Sequence, residues 1–182
     1  DSGEFRGYVD LTAGGAAAVP RSLKLDRAGN LWVLDVGGGR VLKLVGGKVE
    51  SEIPLPAERG AFYSDLAVGT KGDVFVLESV GRKVLVARDG TRQFVPFGSP
   101  FAEDLDFATS LAVDPAGRLF IADQSGGGIV GLGVDGSFRG RQSSLGWKDG
   151  LLRYPSSIEI DGERLFVADR GNSRIQLFAI VQ

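Results

Sequence analysis

Four carboxylates recur along this chain at near-equal intervals: Asp35, Glu78, Asp123 and Asp169 lie 43, 45 and 46 residues apart. Each ends an apolar run and opens a tight polar loop, as in Leu31-Trp32-Val33-Leu34-Asp35 and Leu165-Phe166-Val167-Ala168-Asp169. A carboxylate so placed can act as a general acid or base, ligate a hard cation such as calcium, or accept hydrogen bonds from the amides of its own loop. The rest of the composition narrows that choice. The sequence has no His and no Cys, which removes imidazole acid–base chemistry, His- or Cys-ligated metals and the usual serine and cysteine triads. What remains for carboxylates is oxygen-only cation binding or structure. Glu103, Asp104 and Asp106 form the densest acidic patch, and with Asp123 they are the candidate calcium ligands. The phosphate-binding P-loop pattern and the EF-hand spacing are both missing.

The elements that position these residues follow from the same interval. The repeats read Ser22 to Asp35, Asp65 to Glu78, Ser110 to Asp123 and Ser157 to Asp169. Each begins with an alternating strand (Leu23 and Leu25, Leu66 and Val68, Leu111 and Val113, Ile158 and Ile160 on one face), followed by a turn and a continuous apolar strand. A third strand and a more polar fourth follow. A period of about 45 residues suits one four-stranded sheet and is too short for an independent domain. The 28 Gly residues fit many tight turns better than helices. The chain therefore reads as a single all-β domain, a β-propeller of four blades of four antiparallel strands. Blade 1 spans about 21–55, blade 2 about 64–97, blade 3 about 109–143 and the inner strands of blade 4 about 156–179.

Only three fourth strands follow their own repeats. Glu4-Phe5-Arg6-Gly7 resembles Ser137-Phe138-Arg139-Gly140, so the segment at about 4–11 is expected to pair with Arg174 to Ala179 and complete blade 4, hiding two sheet edges. Closure would bring Lys24 and Glu159 together as an ion pair. A larger ring with further blades is the alternative.

The segment Tyr154-Pro155-Ser156-Ser157 through Leu165-Phe166-Val167-Ala168-Asp169-Arg170-Gly171-Asn172-Ser173-Arg174-Ile175 resembles the NHL repeats of β-propellers, and the likeness covers almost the whole chain. In that family the loop carboxylate pairs with a basic residue five positions on, which implies the turn pairs Asp35 with Arg40, Glu78 with Lys83 and Asp169 with Arg174. At the matching place in the third repeat stands Gly128, in Gly126-Gly127-Gly128, so Asp123 is expected to lack its basic partner. The resemblance also implies a range of roles, from interaction platform and RNA reader to lyase and lactonase. The lyase types depend on His, and the Glu, Asn and Asp cation site of the lactonases cannot be assembled from the motif positions here.

In a propeller the connections between blades and the loops from second to third strand emerge on one face. That face collects the longest irregular segments, Leu11 to Pro20, Pro54 to Tyr63, Phe97 to Ala108 and Ser143 to Pro155, where binding usually resides. Phe62, Tyr63, Phe101, Trp147, Lys148 and Arg153 are the candidate partner-binding residues, since a few aromatic and cationic anchors dominate interface energy. Phe97, Phe107 and Tyr154 are expected to plug the gaps between blades. A net charge of −2 supplies no field to gather phosphate, which weighs against nucleic acid, and no stretch is apolar enough to insert in a bilayer. No Met occurs, even at position 1, so the chain is read as an exported mature protein or a domain of a longer one. The functional expectation is a non-catalytic scaffold for a protein partner, without a cofactor. A calcium-dependent hydrolase or lactonase on the same fold is the alternative.

Overall fold

The computed structural model describes residues 3–12, 17–99 and 103–181. Fifteen strands alternate with tight turns. Blade 1 holds β1 (Pro20–Leu25), β2 (Leu31–Asp35), β3 (Arg40–Val45) and β4 (Lys48–Pro54). Blade 2 holds β5 (Tyr63–Val68), β6 (Val74–Glu78), β7 (Lys83–Ala87) and β8 (Val95–Pro96), and blade 3 holds β9 (Ala108–Val113), β10 (Leu119–Asp123), β11 (Gly128–Leu132) and β12 (Phe138–Gln142). Blade 4 holds β13 (Pro155–Asp161), β14 (Arg164–Asp169) and β15 (Arg174–Ala179), with a single 3-10 turn at Arg170–Asn172. Each blade is an antiparallel meander, and the innermost strands β1, β5, β9 and β13 pack in sequence order about the axis. The chain is an all-β, four-bladed propeller.

Blades are held together by apolar faces, and in blades 1 to 3 the second and third strands are largely buried on both sides. Trp32, Leu34, Val41 and Ile53 of blade 1 meet Leu66, Val74, Val76 and Leu85 of blade 2. Phe75, Leu77, Val84 and Val86 on the far side of blade 2 meet Leu111, Leu119, Ile121 and Val130 of blade 3. Blade 3 in turn presents Ala112, Ala122 and Ile129 to Ile158, Leu165 and Val167 of blade 4. Each fully buried Leu, Ile, Val or Phe contributes about 1.5–3 kcal/mol.

Two outer strands depart from expectation. β8 has only two residues, where a full outer strand was expected to end blade 2 at about residue 97. Phe94 leaves the sheet plane to fill the interface between blades 1 and 2, and Pro96 lacks a ladder N–H, which suits a short edge. The second departure is larger. The last sheet has three strands, and residues 3–12 form no strand, so the expected pairing of Glu4 to Leu11 with β15 is not made. That segment turns instead to blade 1, where Leu11 packs beside Val33, Leu42 and Leu44 and its carbonyl accepts a hydrogen bond from Arg40 Nη2 at 3.2 Å. The Lys24–Glu159 ion pair forms at 2.8 Å, so one polar link joins blades 1 and 4. The apolar residues on either side of that seam, Leu23 and Leu25 on β1 and Ile175 and Leu177 on β15, remain in solvent.

Candidate functional site

The four repeat carboxylates are buried, each at the same corner between second and third strands, and each satisfied by its loop. Asp35 accepts from the Val19 amide at 2.7 Å, the Gly38 amide at 3.0 Å and Arg40 Nε at 3.1 Å. Asp169 accepts from the Arg153 amide at 2.7 Å, Asn172 Nδ2 at 2.8 Å, Arg174 Nε at 2.9 Å and Gln176 Nε2 at 2.9 Å. Each carboxylate thus ties the entry of its own blade to the following turn. Burial works against ionisation at Asp35, Asp123 and Asp169, but the amides and cations donating to them outweigh it and hold all three carboxyls below their ordinary range.

One expected pairing and one expected vacancy are corrected. Glu78 does not pair with Lys83: its longer side chain reaches the amides of Phe62 at 2.8 Å, Val80 at 3.1 Å and Gly81 at 2.6 Å, while Lys83 Nζ goes to Glu58 at 2.5 Å. Asp123 does have a basic partner. Arg141, from β12, places Nη1 2.8 Å from Asp123 Oδ2 and also donates to the Asp104 carbonyl at 2.8 Å. The Phe107, Asp106 and Gly126 amides complete the set. The glycines explain the exchange. A Cβ on Gly128 would sit 2.6 Å from Arg141 Nε, and one on Gly126 would collide with the same guanidinium and with Asp123. The cation has moved from the third strand to the fourth, and glycine clears its path.

With its oxygens so occupied, Asp123 has little to offer a cation, and no group of three acidic, His or Cys side chains converges among the described residues. Glu103 and Asp106 are exposed and Asp104 half-buried. The candidate calcium ligands therefore do not come together.

The loop face carries two features. At the axis, the inner strands line a polar cup of about 520 Å³ that includes Arg21, Ser22, Ser64, Asp65, Thr109, Ser110, Ser156 and Ser157. Asp65 lies at its floor, accepting from Ser22 Oγ at 2.5 Å, Ser110 Oγ at 2.8 Å, the Leu111 amide at 2.9 Å and the Leu66 amide at 2.9 Å. Ser110 Oγ in turn accepts from the Ile158 amide at 3.2 Å. One hydrogen-bonded chain thus joins all four blades at the axis, and Asp65 has a donor for each lone-pair direction. Sequence reading passed over this residue. The signal was present: Ser22, Asp65, Ser110 and Ser157 hold equivalent places in the four repeats, and only one is charged.

Around the cup lies a broken ring of exposed apolar side chains. Val36, Phe62, Val80, Phe107, Leu145, Trp147 and Tyr154 all project from the inter-blade or second-to-third strand loops. Trp147 is 76 % exposed. Phe62 lies under the Arg21 guanidinium, 4.6 Å from ring centre to Cζ, and Arg153 stands 5.7 Å from the ring centre of Tyr154. Lys148 is exposed, and its carbonyl accepts from Arg174. Tyr63 is corrected: it is 8 % exposed, its hydroxyl donates to the Pro56 carbonyl at 2.9 Å, and burial, followed by the charges of Glu58 and Glu78, pushes its pKa up to about 12. It belongs to the interface between blades 1 and 2. Of the expected gap-fillers, Phe97 is buried edge-on against Phe75 at 5.1 Å, whereas Phe107 and Tyr154 keep more than a third of their surface in solvent. Phe101 lies outside the described residues.

No family model and no curated protein matches this chain. Solved structures do. A virginiamycin B lyase from Staphylococcus aureus, made catalytically inactive by a His-to-Ala change and solved with quinupristin, superposes with a TM-score of 0.68 at 19 % identity over 92 % of this chain and 57 % of its own. Hydrazine synthase from Kuenenia stuttgartiensis gives 0.67 at 16 % identity, over 98 % of this chain and 50 % of its own. A luciferin-regenerating enzyme gives 0.61 at 16 % identity, over 84 % and 54 %. At these identities the likeness is one of fold, and the chain spans little more than half the length of the proteins it superposes on.

Proposed function

We propose that this chain is a non-catalytic interaction module of the NHL-like propeller type, binding a protein partner through its loop face as an exported subunit of a larger assembly. The observation that carries the reading is the gathering of exposed apolar side chains, Trp147, Tyr154, Phe62 and Phe107 among them, on the loops of one face of a rigid scaffold. Isolated exposed apolar residues need no explanation, but a set concentrated on one face is what a docking partner covers. Arg21, Lys148 and Arg153 add cations among the rings, the composition of interface anchors.

Enzymes occur among the similar structures, and this chain spans about half of their length. Within this chain, the His on which the staphylococcal lyase depends has no counterpart, because the sequence holds none. The buried carboxylates are committed to amides, guanidinium groups and hydroxyls, which supports structure over acid–base work.

The test is affinity capture from the source organism with the chain as bait, compared with Trp147→Ala and with Glu163→Ala on the opposite face. A partner retained by the chain and by Glu163→Ala, but depleted about tenfold or more by Trp147→Ala, is the expected result. A captured set identical for all three baits would overturn the reading.

A further inference from the structure

A cleft of about 810 Å³ separates the outer parts of blades 3 and 4. We propose that it binds a free anionic amphiphile of the fatty-acid class, the apolar chain lying between the blades and the carboxylate meeting the guanidinium groups at one end.

The cleft arises from the sequence of a single strand. Lys43 of β3, Val86 of β7 and Gly131 of β11 hold the same place in their blades, each directly opposite the aromatic ring of the second strand, Trp32, Phe75 and Phe120 respectively. In blade 1 the Lys43 ammonium stands 5.8 Å from the Trp32 ring centre, and in blade 2 Val86 and Phe97 pack in one cluster with Phe75. Both rings are buried. In blade 3 there is no side chain at position 131, the outer strand places Gly140 opposite it, and Phe120 remains half-buried on the wall of the cleft. The backbone does not require this glycine, because Gly131 is not among the residues of positive φ. A Cβ there would meet only the Gly140 carbonyl oxygen, at 3.9 Å. Position 131 therefore opens onto free space, and what its glycine provides is room.

The shape and charge of that room select the ligand. Leu165, Phe178 and Ile180 make the facing wall apolar. From Ile129 to Val134 the lining follows the third strand for about 17 Å, so the cleft is a slot that suits an extended chain, and its volume is in the range that small ligands occupy. Its charged lining is of one sign, Arg118, Arg139 and Arg141 with no Asp or Glu. Arg141 is committed to Asp123 and the Asp104 carbonyl. Arg118 gives Nε to Asp114 at 2.7 Å and Nη1 to the Val181 carbonyl at 3.1 Å, which leaves Nη2 without an acceptor among the described residues. The ion pair of Arg139 with Asp135 spans 3.8 Å, too long for a hydrogen bond. Arg118 and Arg139 both stand at the end of the slot away from the loop face, by the β9–β10 and β11–β12 turns, and a carboxylate is the group that such donors hold best. The source is a free molecule and not a bilayer, since a net charge of −2 gives the chain no pull towards an anionic membrane surface.

Sodium dodecanoate, titrated below its micelle concentration and followed by calorimetry, should bind at one site and raise the thermal midpoint. Dodecyltrimethylammonium, with the same chain and the opposite charge, should bind at least about tenfold more weakly. Gly131→Phe fills the slot from a strand position with space for a side chain and should weaken dodecanoate about tenfold or more. Arg139→Glu, at an exposed site, should do the same and serves as the test if the first variant does not fold. No dodecanoate binding, equal affinity for the two head groups, or unchanged affinity in a folded Gly131→Phe or in Arg139→Glu would overturn the proposal. So would co-sedimentation with phosphatidylglycerol vesicles by a chain that does not bind dodecanoate, which would assign the cleft to a bilayer.

Discussion

Asp123 and Arg141 are partners only because residues 126 and 128 have no side chains. The pair sits where blade 3 begins its turn, the carboxylate fully buried and the guanidinium partly exposed. Gly128→Ala brings a Cβ into the Arg141 side chain and should destabilise by about 1–3 kcal/mol. The same change combined with Arg141→Ala should cost less than the sum of the two single changes, because the clash is then gone. Equal and additive losses in urea unfolding would show that the glycine serves some other purpose. The depressed carboxyls at Asp35, Asp123 and Asp169 also fix a pH dependence. Their folded-state values lie below 3.8, so in acid the unfolded chain binds protons first. Their contribution is fully present above about pH 4 and is lost as pH falls through the folded values. Urea midpoints should therefore be level from about pH 7 to pH 5 and drop steeply below about pH 4, and a midpoint unchanged at about pH 3 would contradict the assignment.

At the scale of elements, much was legible from local order. The positions of the second strands and their terminal carboxylates follow from an apolar run bounded by turn residues, a pattern complete within a dozen residues. The partner of Asp123 was not legible, because Arg141 comes from a neighbouring strand and only the sheet brings it close. The Glu78 case failed for a related reason: its oxygens are taken by three amides, and Lys83 finds Glu58, which comes from the preceding inter-blade loop. The candidate calcium ligands lie near one another in sequence, but among the described residues their oxygens do not converge. Asp65 was visible as the one charge in a column of serines, and its meaning appeared only when four inner strands met at the axis. Asp65→Ala removes the acceptor that Ser22, Ser110 and two amides share, and should cost about 2–4 kcal/mol in thermal or urea unfolding. Ser157→Ala, at the equivalent but exposed place in blade 4, should change stability by less than about 0.5 kcal/mol. Similar losses for both would deny the axial chain its role.

For the whole molecule, one expected strand is not formed: residues 3–12 carry none, and the last sheet keeps three strands. The segment at 4–11 has the sequence of an outer strand, yet it lies by blade 1 and leaves β15 open. Across the seam between blades 1 and 4 the Lys24–Glu159 pair was legible from equivalent places in the repeats, whereas the place of the segment is set by Leu11 against blade 1, a contact that local sequence does not show. The loop face is independent of that seam. Its apolar groups surround a polar cup on a scaffold fixed by three apolar interfaces and the Asp65 chain, so a partner can dock without refolding the blades. The most direct measurement is photo-cross-linking in the native setting, with a reactive side chain placed at Trp147 on the loop face or at Gly47 in the β3–β4 turn opposite. A discrete adduct of one partner from position 147 and none from position 47 is the predicted result. Adducts from position 47 alone, or the same products from both, would contradict the claim that this propeller works through its loop face.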